Sequence, residues 1–135
     1  MLGPPVDVPY RFGLPHPKAV VEVLVHPLSG GGDFQDEAVI DSGSDYTWVP
    51  HGVAAQYGWT IGEVDPVQID TIGADTREAD RILARVKIWN HEFVVSVCEL
   101  WPESKITYPL IGRDILREFV TTLDGPQRKL SLEQP

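Results

Sequence analysis

The sequence predicts an all-β domain with one short helix near its end. Its apolar, β-branched runs are short and bounded by turn residues, as in "KAVVEVLVHP" (18–27) and "EFVVSVCEL" (92–100). Gly and Pro number 12 each in 135 residues, a density that favours many turns over long helices. One late stretch, "RDILREF" (113–119), has helical spacing, with Ile115, Leu116 and Phe119 on one face.

Taken in order, residues 1–17 read as an extended, proline-rich N-terminal arm, and residues 18–135 as a single domain. The strand over 18–27 turns through the flexible "LSGGGDF" (28–34) and returns as "QDEAVID" (35–41), a hairpin with a loose loop. "YTWVP" (46–50) is a short strand stopped by Pro50, and "HGVAAQYGW" (51–59) holds a turn or two of helix ended by Gly58. Residues 66–89 form a long hairpin with its tip near Gly73, followed by a strand. Asn90 and His91 are a tight turn into the strand at 92–100, and "YPLIG" (108–112) is a short buried strand. After the helix, "VTTLD" (120–124) and "KLSLE" (129–133) close the chain as a hairpin around Gly125 and Pro126.

Charge and composition bound the function. A net charge of −9 argues against nucleic acid and anionic membranes as partners. A hydrophobic content of 42% and a mean hydropathy of −0.12 are those of a globular domain. The lone Cys98 excludes an intrachain disulfide framework and fits an apolar strand better than a nucleophile's setting. The apolar runs are too short to span a bilayer, and the N-terminus lacks a secretion signal's pattern. The expected setting is soluble and cytoplasmic. His16, His26, His51 and His91 are scattered without metal-ligand spacing, so no metal and no cofactor is expected.

The stretch "AVIDSGSDYTWVP" (38–50) ends an apolar strand on a carboxylate, Asp41, and follows it with the turn-forming Ser42, Gly43 and Ser44. A carboxylate driven inward has a partner or a task, because an unpaired buried charge is costly. Alone, the motif also fits an ordinary surface turn. A second stretch, "PLIGRD" (109–114), runs an apolar segment into Gly112, then Arg113 and a helix.

Together, "VIDSGSDYT" and "LIGRDIL" resemble the retropepsin family of aspartic proteases, of the cellular and bacterial type. The resemblance covers roughly residues 18 to 132 and implies a closed retropepsin-like β-barrel with a flap hairpin and one short C-terminal helix. It implies that Asp41 is the catalytic aspartate, with Ser42, Gly43 and Ser44 as the active-site loop. Ser42 would grip the partner subunit beneath the active site, and the Gly43 carbonyl would bond substrate backbone. Asp45 would lie at the substrate-binding edge, paired with Arg113. Gly112 would let the helix pack under the loop. Asp114 replaces the asparagine of many viral members. The flap tip would comprise Ile72, Gly73 and Ala74, although an ordinary hairpin turn explains that stretch equally. Trp48 either lines a subsite or packs in the core.

The resemblance further implies a homodimer whose two-fold axis brings two Asp41 carboxylates together to cut an extended polypeptide. The terminal segments would interleave at that interface, and the pockets would prefer apolar side chains. The alternative function is a catalytically inactive dimeric module of the same fold that binds peptides, motivated by the acidic, glycine-poor tip "ADTREAD" (74–80).

Overall fold

The structure is a computed structural model of the chain, and it describes residues 6–11, 18–61, 64–70, 76–124, 126–127 and 129–133. Its strands are β1 (Val6–Arg11), β2 (Lys18–Pro27), β3 (Phe34–Ile40), β4 (Trp48–Val49), β5 (Val64–Ile69), β6 (Arg77–Ile88), β7 (His91–Glu99), β8 (Leu110–Ile111), β9 (Val120–Asp124) and β10 (Lys129–Glu133). Two single-turn helices, α1 (Val53–Gln56) and α2 (Arg113–Leu116), interrupt them.

Alternation along β6 shows why these segments pair. Ile82, Ala84, Val86 and Ile88 are buried, while Leu83, Arg85 and Lys87 face solvent. Such a strand has one face to bury, and the chain meets that demand by closing the sheet on itself. The strands β6, β7, β4, β8, β3 and β2 follow one another, and β2 pairs back onto β6 from Val23↔Ile88 to Pro27↔Ala84. The barrel is mixed: β3 with β8 and β4 with β7 run parallel, and the other barrel pairs are antiparallel. Outside the ring, β5 adds to β6, and β1, β10 and β9 extend from β2.

The barrel interior is filled by a cluster including Val23, Val25, Ile82, Val86, Ile88, Ile111 and Ile115. A smaller cluster of Val39, Trp48, Ala79, Cys98, Leu100 and Leu110 sits beside it. Close packing of this kind holds short strands such as β4 and β8, whose two residues each could not persist alone.

The bounds of the late helix and the position of the tight turn differ from expectation. The helix expected over 113–119 stops at Leu116, because the chain must turn at Arg117 and Glu118 to bury Phe119 and enter β9. A segment that short has no helical stability of its own, so tertiary pairing decides its length. The turn of helix expected within 51–59 is formed as α1. Within the segment read as an extended arm, Val6–Arg11 is a strand that pairs with the chain's own β10 and β2. The tight turn lies one residue earlier than expected, at Trp89 and Asn90, between the paired Ile88 and His91.

Candidate active site

The site begins where β3 ends. β3 lies between β2 and the parallel β8, so Asp41 leaves the barrel in a fixed direction. Its backbone N–H donates to the Ile111 carbonyl at 2.9 Å, continuing the β3–β8 ladder by one residue. The loop then folds on the aspartate. The Gly43 N–H donates to Asp41 Oδ1 at 3.1 Å, and the Ser44 N–H to the Asp41 carbonyl at 3.2 Å. Asp41 is half-buried, whereas Ser42 and Gly43 are exposed.

The rest of the loop is clamped from below by α2. The Arg113 N–H donates to the Ser44 carbonyl at 2.8 Å, and the Asp114 N–H to the Asp45 carbonyl at 3.2 Å. Gly112 is needed here for space. Its φ of −97° and ψ of −173° suit any residue, but a Cβ would stand 2.5 Å from the Tyr46 carbonyl carbon and 2.9 Å from the Ser44 carbonyl oxygen. Arg113 and Asp45 form an ion pair through Nη2 and Oδ1, but both side chains are exposed, so the pair adds little stability.

Thr47 and Asp114 form the firmer clamp, and sequence reasoning missed Thr47. The Thr47 hydroxyl donates to Asp114 Oδ1 at 2.8 Å, and its backbone N–H donates to Oδ2 at 3.0 Å. The Gly112 N–H in turn donates to Thr47 Oγ1 at 3.3 Å. Thr47 is 1% exposed, the one buried polar side chain among the described residues. Its signal in the sequence was a hydroxyl in the otherwise apolar "YTWVP". Burial pushes the Asp114 carboxyl above the ordinary aspartate range, opposed by its hydrogen bonds from Thr47 and Ile115.

Trp48 is buried in the smaller cluster and also faces the loop. Its Nε1–H donates to Ser44 Oγ at 2.9 Å, and Ser44 Oγ–H donates to the Tyr46 carbonyl at 2.8 Å. The Trp48 ring packs on Trp101 with centroids 5.4 Å apart. Trp101 donates from Nε1 to the Glu78 carbonyl at 2.7 Å, and the Arg77 guanidinium lies 4.5 Å over its ring. A continuous contact path therefore runs from the Asp41 loop to the first residues of β6.

Two hollows flank the loop. One, of about 520 Å³, has Asp41 and Ser42 on one side and Ile106, Tyr108, Thr121 and Leu123 on the other. Asp41 is its only carboxylate among the described residues. The second, of about 300 Å³, lies between Gly43, Ser44, Asp45 and Trp48 and the end of β5 at Gln68, Ile69 and Asp70. The end of β5 thus faces the loop across this second hollow. Its expected tip residues Ile72, Gly73 and Ala74 lie outside the described residues. The apolar preference expected of the pockets suits the first hollow; the second is walled largely by polar groups. Among the described residues, no group of three His, Cys, Asp or Glu side chains is arranged to hold a metal ion.

No protein-family model and no curated protein matches the chain. A solved structure does: the crystal structure of a retropepsin-like aspartic protease from Rickettsia conorii aligns with a TM-score of 0.66, over 99% of this chain and 92% of that chain, at 14% sequence identity. The fold is therefore retropepsin-like: a closed mixed barrel of six strands with further strands added at its margin. No helix among the described residues is long and apolar enough to cross a membrane.

Proposed function

We propose that the chain is an aspartic endopeptidase active as a homodimer, with Asp41 as the catalytic residue. The observation that carries this reading is the placement of Asp41. It stands at a strand end, held by a clamped loop, and is the one carboxylate among the described residues that lines the larger, mainly apolar hollow beside that loop. One carboxylate cannot act as both base and acid in the same step, so a second copy supplies the other.

Two apposed carboxylates share one proton, because like charges that close do not both ionise. The ionised Asp41 takes a proton from water as the water oxygen bonds to the peptide carbonyl carbon. The protonated Asp41 of the second copy gives its proton to the carbonyl oxygen. The tetrahedral gem-diol then collapses: the ionised carboxylate of the second copy takes one of its hydroxyl protons, Asp41 gives the proton it took from water to the nitrogen, and the C–N bond breaks, so the amine leaves and the dyad again holds one proton. The Gly43 N–H, donating to Oδ1, fixes the carboxylate's orientation. The β5–β6 hairpin excludes water, and the substrate lies extended beneath it.

The test is cleavage of an unfolded protein by wild type and Asp41→Asn, from about pH 3 to 8, at several enzyme concentrations. Cleavage by wild type alone, with specific activity rising with concentration, is expected. An active Asp41→Asn protein refutes the assignment. Inactivity of both under every condition moves the reading to a peptide-binding module of the same fold.

A further inference from the structure

The outer face of the barrel carries a feature that the proposed active site does not use. On β6, Leu83 points outward between Arg81 and Arg85. Leu28, just past β2, donates its backbone N–H to the Leu83 carbonyl at 3.0 Å, so the β2–β6 ladder extends beside Leu83. On the other side, Val94 of β7 lies opposite Arg85. Leu28, Leu83 and Val94 are 41%, 41% and 58% exposed. They make an apolar strip across three strands in the middle of a sheet rather than at an edge. A groove of about 570 Å³ continues from Leu83 and Val94 to α2, where Arg117 stands on its far wall.

On the β2 side of the strip, His26 lies opposite Arg85 and is paired with Asp33. The chain carries 20 acidic against 11 basic residues, yet the strip is bordered by Arg81, Arg85 and Arg117. The two carboxylates that line the groove are already engaged: Asp45 by Arg113, and Asp114 by Thr47 and Ile115. Arg81 gives its Nε–H to the Asp65 carbonyl, a neutral acceptor. Arg117 lies 3.9 Å from its exposed neighbour Glu118 and also acts electrostatically on Asp114. Arg85 has no ion-pair partner among the described residues. Exposed apolar area flanked by Arg81 and Arg85, neither of which pairs with a carboxylate among the described residues, is matched by a surface of the opposite charge with apolar side chains between its acids.

We propose that this face docks an acidic, extended segment of a partner protein, with the pattern Glu-Xaa-Leu-Xaa-Glu. The spacing follows from strand geometry. Side chains two residues apart on an extended chain are about 6.6–7 Å apart, the same interval that separates Arg81, Leu83 and Arg85 along β6. A segment lying along β6 therefore sets its carboxylates against the two guanidiniums and its leucine against Leu83, Leu28 and Val94. This surface lies on the outside of the barrel and requires no catalysis, so it stands or falls separately from the protease reading.

The test uses the full chain carrying Asp41→Asn and a fluorescein-labelled peptide, Thr-Glu-Thr-Leu-Thr-Glu-Thr. Fluorescence anisotropy reads binding, and amide chemical shifts locate it. The acidic peptide is expected to bind with shifts on β6 and β7. Lys-for-Glu and Ser-for-Leu versions should bind at least about tenfold more weakly, as should the acidic peptide to Arg85→Glu or Leu83→Ser protein. Raising NaCl should weaken the complex. The proposal is overturned if the peptide does not bind, if the Lys version binds equally, or if Arg85→Glu changes nothing. It is equally overturned if the shifts centre on residues 41–43 rather than on β6 and β7, if phosphatidylserine vesicles occupy the face in preference to the peptide, or if a second copy already covers it in solution.

Discussion

Replacing Gly112 by alanine should separate the loop from the helix that holds it. The new Cβ would meet the Tyr46 carbonyl oxygen most closely and stand 2.5 Å from its carbon, so reaching the ordinary 3.4 Å takes an opening of at least about 1 Å against backbone. The bonds of Arg113 N–H to Ser44 and Asp114 N–H to Asp45, now 2.8 and 3.2 Å, would pass beyond hydrogen-bonding range. Two backbone hydrogen bonds contribute about 0.5–1.5 kcal/mol each, and weakening the charge-assisted Thr47–Asp114 pair adds about 1.5–3 kcal/mol. The expected loss of stability is therefore about 2.5–6 kcal/mol, with loss of any activity that depends on Asp41. Gly43→Ala is the control. There a Cβ meets only the Asp41 side chain, at 3.3 Å, and the expected cost is under about 1 kcal/mol. Urea titration followed by tryptophan fluorescence measures both. A Gly112→Ala loss below about 1 kcal/mol, or one equal to that of Gly43→Ala, would refute the close-approach argument.

Three further predictions concern groups around the same loop. Burial raises the Asp114 carboxyl above its ordinary value, so its protonated form favours the folded state. Its contribution to stability is full below the ordinary aspartate pKa and is lost as pH rises through the raised one. Asp114→Asn should remove that part of the pH slope, and urea midpoints with an unchanged slope would contradict it. Trp101→Phe deletes the donor to the Glu78 carbonyl and should cost about 1 kcal/mol while speeding amide exchange at residues 77–79; unchanged exchange there would show that the tether is idle. Cys98 is fully buried and its thiol is pushed up to about 12, so a disulfide reagent should label it only as fast as the chain opens. Labelling at the rate of a free thiol in the native state would contradict its placement in the core.

Strand positions were legible because alternation and turn residues act locally. The last hairpin forms at 120–124 and 129–133, as the sequence reading placed it, and β6 buries every second residue from Ile82 to Ile88. Asp41 stood out because a carboxylate ended an apolar run, and Arg113 because it followed an apolar run into glycine. Local patterning determines which side chains face inward.

It does not determine which strands meet. The parallel pairing of β3 with β8 sets "IDSGS" against "IGRD", and nothing in either segment encodes the other's distance or direction. Thr47 could not be recognised as a clamp until Asp114, 67 positions later, stood beside it. The tertiary structure likewise cut α2 to a single turn and drew Val6–Arg11 into pairing with β10. Trp48 serves both the core and the loop because its ring packs on Trp101 while its N–H reaches Ser44. These outcomes depend on contacts between residues far apart in the chain, whose energies exist only once the barrel has closed. The sequence by itself determined the strands, the turns and the carboxylate at the end of β3; closure of β2 onto β6 decided what that carboxylate faces.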